Sequence, residues 1–202
     1  PRMPLSPPAP RQLSHTRTVT CRGYEREDGL WDIEGHMTDV KTYAFPNRDR
    51  GGEIKAGEPV HGMWLRITID DHLLVHAAES WTEYSPFNIC PEINDAYGRL
   101  VGLRIGPGWK KHLKERLGGT QGCTHLTELL GPMATTAFQT VFKRQQKSKE
   151  EMRTLRRPPA LLDTCHGWSA AGPVVAWLMP QFHRPRPLAA ETEADGIGHA
   201  DR

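Results

Sequence analysis

The sequence predicts an α+β fold, in which an antiparallel β-sheet of N-terminal strands is followed by three helices packed on one of its faces. Residues 61–70 alternate strictly between apolar and polar side chains, which is typical of a half-buried strand. Further along, three segments repeat apolar side chains every three or four residues, the period of an amphipathic helix. Strands that precede a run of helices indicate an α+β domain.

Three more strands complete the predicted sheet. Residues 15–24 and 30–43 form the two earlier ones, and residues 72–81 form the strand that returns after a turn. Side chains alternate between faces along a strand, so Asp32, Glu34 and His36 share one side of the segment 30–43. The polar segment 47–52 ends in two glycines and is predicted to be a mobile loop.

Two of the three predicted helices begin at a cysteine. The first opens at Cys90, because the proline that follows is tolerated at the first helical position. The second starts after Gly106 and ends at the two glycines 118–119. The third begins around Cys123 and is long, and Pro132 is predicted to kink it rather than end it.

Composition divides the chain into a central domain and flanking segments of different character. We expect a disordered proline-rich tail at 1–12, an α+β core domain at 13–144 and a basic linker at 145–159. Residues 160–182 are apolar enough to return to the core, and 183–202 read as a second disordered tail.

Charge and composition argue against several classes of partner. The net charge is +2 over 202 residues and the basic side chains are spread out, which disfavours a nucleic-acid groove. No segment approaches the roughly 18 apolar residues of a membrane helix. The four cysteines are dispersed, and a domain of this size needs no disulfide framework. We therefore expect a reduced, cytoplasmic protein that binds a small molecule, with a homo-oligomer left open.

Acid–base groups crowd the strand 30–43 and its C-terminal end. They are Glu34, His36, Asp39, Lys41 and Tyr43, and clustered ionisable groups are a common way to bring one pKa near neutrality. Trp31 and Trp64 could wall a cavity for a flat ligand, and Arg48 and Arg50 could clamp its carboxylate. An exposed polar sheet face would look the same. His61 is interpreted as structural.

Cys123 is the sharpest single candidate. A thiol at a helix N-terminus has a lowered pKa, and His125 could activate it or share a metal with it. The competing interpretation is a buried, inert cysteine. Cys90 and Cys165 could complete a zinc or iron set, although the chain has no Cys-x-x-Cys spacing. Motifs for phosphate loops, dinucleotides and serine nucleophiles are absent.

Three segments carry a family resemblance: DGLWDIEGH at 28–36, NRDRGG at 47–52 and GGTQGCTHL at 118–126. They resemble a bacterial family catalogued only as a domain of unknown function, over residues 14 to about 180. The resemblance implies a place among proteins of aromatic-compound breakdown.

A second resemblance is architectural. Strands, then a cysteine that opens a helix, then a cysteine that opens the last long helix are similar to the scaffold proteins on which iron–sulfur clusters are assembled. Cys90 and Cys123 would match the second and third cluster cysteines, and the first is missing from the loop 48–52. Clusters usually need four thiolates or close substitutes, so the resemblance implies the fold and not the function.

The first functional hypothesis is a cofactor-independent lyase that cleaves a C–C bond of a small, lignin-derived aromatic or phenolic acid. Formaldehyde or carbon dioxide would leave through acid–base chemistry by the groups of the strand 30–43, because a phenolic ring can hold the released electrons. Two alternatives remain open. One is a metal- or iron–sulfur-binding carrier that uses Cys90 and Cys123, and the other is a thioester hydrolase with Cys123 as nucleophile.

Overall fold

A computed structural model describes residues 5–185 and divides the chain into two compact units, 1–145 and 146–202. The first unit contains a four-stranded antiparallel sheet and a separate two-stranded hairpin, which together comprise β1 (His15–Glu25), β2 (Trp31–Lys41), β3 (Phe45–Asn47), β4 (Gly52–Ile54), β5 (Pro59–Ile69) and β6 (Val75–Tyr84). The order in the larger sheet is β1-β2-β5-β6. With helices packed against this sheet, the predicted α+β class is confirmed.

The return strand β6 begins three residues later than predicted, at Val75 instead of position 72. The turn before it is longer, because the Asp70 carboxylate accepts hydrogen bonds from the backbone N–H groups of His72 and Leu74. Leu73 between them adopts a left-handed backbone conformation, with φ of 61°. Side-chain capping of the turn therefore outweighs the apolar pattern that predicted an earlier start.

The three predicted helices follow β6 at the predicted places, and a short 3₁₀-helix, Gly119–Gln121, lies between the second and the third. The first, Cys90–Leu100, is a 3₁₀-helix instead of an α-helix, and α1 (Trp109–Leu117) and α2 (Thr124–Gln145) are α-helical. Asparagine, aspartate and glycine within Cys90–Leu100 have poor α-helix propensity, which accounts for the tighter winding. Helix α2 continues through Pro132 and lies across β1, β2 and β5.

The sheet is covered on one face. Alternate residues of β2 point towards α2 and are buried, and the intervening residues are only half-buried. Gly35 lies on the covered face, where a β-carbon would come within 2.6 Å of the Met133 sulfur. Helix α2 can approach the sheet this closely because position 35 has no side chain.

We expect Gly35→Ala to lower the free energy of unfolding by about 1–3 kcal/mol, because the added methyl group would overpack the core against the buried Met133. Gly131→Ala on α2 is the matched control. A β-carbon at position 131 meets nothing within 4 Å, so this variant should gain up to about 1 kcal/mol from helix propensity. Urea denaturation of both variants measures the difference. Equal stability of Gly35→Ala and the unsubstituted protein would contradict the close approach.

The second unit is described as far as residue 185. It contains α3 (Lys149–Arg153), α4 (Pro173–Leu178) and two short 3₁₀-helices, and a Ser148–Glu151 capping box begins α3. Helix α3 thus lies inside the segment predicted to be a linker. The predicted tails at 1–12 and 183–202 lie largely outside the described residues. Between residues 5 and 185, no helix combines the length and the apolar character needed to cross a membrane.

Candidate functional site

A carboxylate is buried at the C-terminal end of β2, on the face covered by α2. Asp39 is 2% exposed, and it lies in register with Arg17 on β1 and His61 on β5. Because residues in register on neighbouring strands point to the same face, the three side chains meet. A β-bulge directly follows Asp39, and such irregularities are common beside functional sites.

All of the hydrogen-bonding capacity of this carboxylate is used. Arg17 donates from Nε to Oδ1 and from Nη2 to Oδ2, each at 2.8 Å. His15 Nε2 lies 2.8 Å from Oδ1, and His61 Nδ1 lies 2.9 Å from Oδ2. A carboxylate has about four lone-pair sites, so Asp39 is held rigidly by two imidazoles and one guanidinium.

Burial by itself raises the pKa of Asp39, but hydrogen bonds from Arg17, His15 and His61 outweigh it and hold the pKa well below its usual range. The hydrogen bond to Asp39 also raises the pKa of Arg17 above its usual value. Since an ionised carboxylate can only accept hydrogen bonds, His61 Nδ1 must carry the proton, which leaves Nε2 of this ring as an acceptor. Burial, together with the nearby His125, lowers the pKa of His61, which favours the neutral form of the ring.

The N-terminus of α2 brings a thiol to the same place. Cys123 immediately precedes the helix, and its Sγ lies 3.9 Å from His125 Nδ1. The rings of His125 and His61 lie 3.8 Å apart, centroid to centroid. Burial raises the pKa of the Cys123 thiol, but His125 and the backbone N–H groups at the helix start lower it by more. The net effect is a thiol with a lowered pKa.

Tyr97 fixes the backbone of this cysteine. Its hydroxyl accepts the Cys123 N–H at 3.0 Å and donates to the Cys123 carbonyl at 2.8 Å. The same hydroxyl lies 2.9 Å from Thr127 Oγ1 on α2, and the Tyr97 side chain is fully buried. Arg17 also pairs with Glu128 of α2, which ties β1 to the start of the helix.

Cys123, His125, His61 and Asp39 therefore form a continuous line of contacts, here named the Cys–His–Asp cluster. It lies at the edge of the first unit rather than deep inside it, because His15 is 44% exposed while Cys123 and His125 are half-buried. A thiol, a neutral imidazole and an ionised carboxylate in contact can perform nucleophilic and acid–base chemistry.

The face of the sheet opposite α2, here called the open face, carries a second set of aromatic and charged side chains. His36 stacks on Trp64, its partner across the strands, with ring centroids 3.7 Å apart, and Trp64 pairs with Trp81 on the next strand. Glu34, Arg66 and the two indoles line a cleft of about 310 Å³. Burial lowers the pKa of His36, and its Nε2 is buried without a hydrogen-bond partner among the described residues.

The predicted acid–base side chains are not brought together. Glu34 and His36 lie on the open face, whereas Asp39 lies on the covered face, because even- and odd-numbered residues of β2 alternate. The Lys41 ammonium lies over the rings of Tyr43 and Phe45, beyond these two groups. The expectation that all five face one tryptophan-lined cavity is therefore wrong.

Trp31 and the two arginines also differ from expectation. Trp31 is 1% exposed and donates its indole N–H to Asp71, so it belongs to the core and cannot line a cavity with Trp64. Arg48 pairs with the neighbouring Asp49. Arg50 Nη1 donates to two backbone carbonyls, those of residues 59 and 85. Neither arginine lines the cleft.

The residues predicted to bind a metal are also not the ones that the structure brings together. Between residues 5 and 185, the clustered donors are those of Asp39, His61 and His125, and neither Cys90 nor Cys165 belongs to this group. Cys90 opens its helix as predicted, and Cys165 is exposed in the second unit.

Three residues around Asp39 were not predicted from the sequence. His61 is a member of the Cys–His–Asp cluster, and His15 and Arg17 hydrogen-bond to Asp39 from β1. Each is a single polar residue on a strand, and nothing local distinguishes it from a surface position. The alternation of side chains along the two strands could have found Asp39 and His61. If β2 and β5 pair through His36 and Trp64, then Asp39 and His61, three residues away on each strand, must lie together on the opposite face of the sheet.

The fold and the cluster define an α+β domain with a thiol, two imidazoles and a buried carboxylate at one end of its sheet. The chain belongs to the DUF2889 family, described as a protein of unknown function, whose model matches residues 15–139. The match includes every residue of the cluster. No curated protein and no solved structure matches the chain, so the likeness to iron–sulfur scaffolds gains no support from a relative.

Proposed function

We propose that the protein is an enzyme that uses Cys123 as a covalent nucleophile on an activated carbonyl, in the simplest case as a thioester hydrolase. The observation that carries this proposal is the thiol at the start of α2, 3.9 Å from His125 Nδ1, with its pKa lowered despite partial burial. Acyl transfer by cysteine requires this combination of a thiolate and an adjacent base.

In the proposed first step, His125 takes the thiol proton and the Cys123 thiolate attacks the thioester carbonyl. The C–S bond of the substrate then breaks, its electron pair leaves with the departing sulfur, and the proton held by His125 passes to that sulfur. In the second step His61 Nε2 takes a proton from water, and the resulting hydroxide displaces Cys123 from the acyl group as a thiolate, which then recovers the proton held by His61. Asp39 stabilises the imidazolium formed on His61, as carboxylates do in catalytic triads.

Thiol reactivity tests this proposal without a known substrate. We expect Cys123 to be alkylated by iodoacetamide with an apparent pKa below the value of about 8.5 for a free cysteine, because the imidazole and the helix N-terminus stabilise its thiolate. His125→Ala should raise this apparent pKa. Peptide mass spectrometry distinguishes Cys123 from the other thiols over a series of pH values.

His76→Ala is the matched control, because His76 pairs with Asp70 on another part of the same unit. It should leave the pH profile of Cys123 unchanged. An apparent pKa at or above that of a free thiol, equal in the unsubstituted protein and in His125→Ala, would remove the proposal.

A second candidate is the cofactor-independent lyase for a small aromatic acid, and the cleft on the open face favours it. Its volume of about 310 Å³ is at the lower end for small-molecule sites, and the indoles of Trp64 and Trp81 suit a flat ring. His36 stacks on Trp64 without lining the cleft itself, and it would be the base, since burial lowers its pKa. Glu34 would supply the second proton group, and Arg66, which pairs with Glu34 and Glu79, would have to exchange one of these partners for the substrate carboxylate.

A further inference from the structure

We infer that the Cys–His–Asp cluster has a second use, as a binding site for a single divalent transition-metal ion of the zinc type. Asp39, His61 and His125 supply three donors. The Cys123 sulfur lies outside this group but 3.9 Å from His125 Nδ1, and it would move in as the fourth. The metal-bound form goes beyond the proposed thiol chemistry, because the ion and an electrophile compete for the same sulfur.

The geometry is already close to that of a metal centre. The donor atoms of Asp39, His61 and His125 all lie within 4.8 Å of one another, and ligands of one zinc ion are about 3–4 Å apart. Asp39 Oδ2 and His61 Nδ1 are separated by 2.9 Å, and Cys123 Sγ and His125 Nδ1 by 3.9 Å. Side-chain shifts of about an ångström would therefore bring the donors of Asp39, His61 and His125 onto one ion, and a rotation of the Cys123 side chain would add the sulfur.

The surroundings can hold the ligands in place. Binding of the ion replaces one hydrogen bond, between His61 and Asp39, and the His61 proton moves from Nδ1 to Nε2. Arg17 and His15 keep their hydrogen bonds to the carboxylate and support it from outside, as outer partners do in known metal sites. The Cys123 thiol releases its proton to water when it binds.

The donor chemistry selects the kind of ion. Imidazole, carboxylate and thiolate together suit zinc and similar borderline ions, whereas magnesium and calcium prefer sites made of oxygen alone. The fourth donor has a consequence for reactivity. A Cys123 sulfur bound to zinc is not free to react, so zinc should protect this thiol from alkylation.

The test uses the full chain, purified without a histidine tag and treated with a chelator. In calorimetric titrations we expect about one zinc ion per chain to bind, and magnesium not to bind measurably under the same conditions. His125→Ala and His61→Ala should each weaken zinc binding at least about tenfold. Zinc should also slow the alkylation of Cys123 at least about tenfold in the unsubstituted protein.

His76→Ala serves as the control and should bind zinc like the unsubstituted protein, because its partner Asp70 lies outside the cluster. His61→Gln guards against misfolding, since its amide can still donate to Asp39 but is a poor zinc ligand. Zinc binding that persists in His61→Gln and His125→Ala, or an absence of zinc binding, overturns the inference. The alkylation profile without zinc tests the proposed thiol chemistry separately.

Discussion

Cys123→Ser is expected to abolish turnover of a thioester substrate, with a loss of about 10⁴-fold or more, whereas His36→Ala should retain full activity. A serine hydroxyl in this position would not be ionised by His125, so the covalent intermediate would not form. His36 lies on the opposite face of β2 from the Cys–His–Asp cluster and makes no contribution to it. Serine is close to cysteine in size, so the variant should fold.

The measurement requires two parallel substrate screens. Thioesters of small aromatic and aliphatic acids are assayed for released thiol, and lignin-derived phenolic acids for released formaldehyde or carbon dioxide. Activity in the second screen that His36→Ala removes and Cys123→Ser retains would assign catalysis to the open-face cleft and support the lyase. Each result thus assigns catalysis either to the Cys–His–Asp cluster or to the cleft on the open face.

Asp39→Ala is expected to lower the free energy of unfolding by about 2–4 kcal/mol at neutral pH. Removal of the buried carboxylate leaves Arg17 with Glu128 as its remaining carboxylate partner and leaves the N–H of His61 without an acceptor. We place the loss below that of a fully buried ion pair, because the Arg17 side chain is 35% exposed and partly screened by solvent. Denaturation in urea measures the effect.

The same experiment has a pH dependence of known sign. The pKa of Asp39 is lowered in the folded state, so its stabilisation is fully present above the unfolded value of about 3.9 and is lost as the pH falls towards the folded value. The difference in stability between the unsubstituted protein and Asp39→Ala should therefore be present at pH 7 and shrink below about pH 4.

Asp95→Ala is the control for Asp39→Ala, because Asp95 is exposed on the 3₁₀-helix Cys90–Leu100. It should change stability by no more than about 0.5 kcal/mol at any of these pH values. If the two variants showed equal stability and equal pH dependence, the buried hydrogen-bond network around Asp39 would not contribute to folding.

The predicted and observed folds agree where the signal is local. Alternation along β2 and β5, the helical period of α2 and the glycines before Cys123 each depend on a short stretch of chain, and each predicted its element. The differences at the start of β6 and in the 3₁₀-helix also have local causes, namely turn capping and poor helix formers. These outweighed the apolar pattern.

The candidate site was predicted only in part. The position of Cys123 directly before a helix, beside His125, follows from local sequence and is observed, whereas its role as a nucleophile or metal ligand stays a prediction. The density of ionisable groups along the sequence of β2 did not predict a cluster in space, because adjacent positions on a strand point to opposite faces. Asp39 and His36 are near neighbours in sequence, yet they belong to different surfaces.

The sequence by itself determined the α+β class, the helix start that presents Cys123 and the alternation that gives the sheet a covered face. Only the tertiary structure decided that Arg17, Asp39 and His61 align across three strands, and that the N-terminus of α2 lies beside them. Strand register and helix docking are non-local, since they depend on how distant apolar faces pack and on groups such as Met133 that fill the space above Gly35. The thiol was visible in the sequence, whereas its partners were brought to it by the fold.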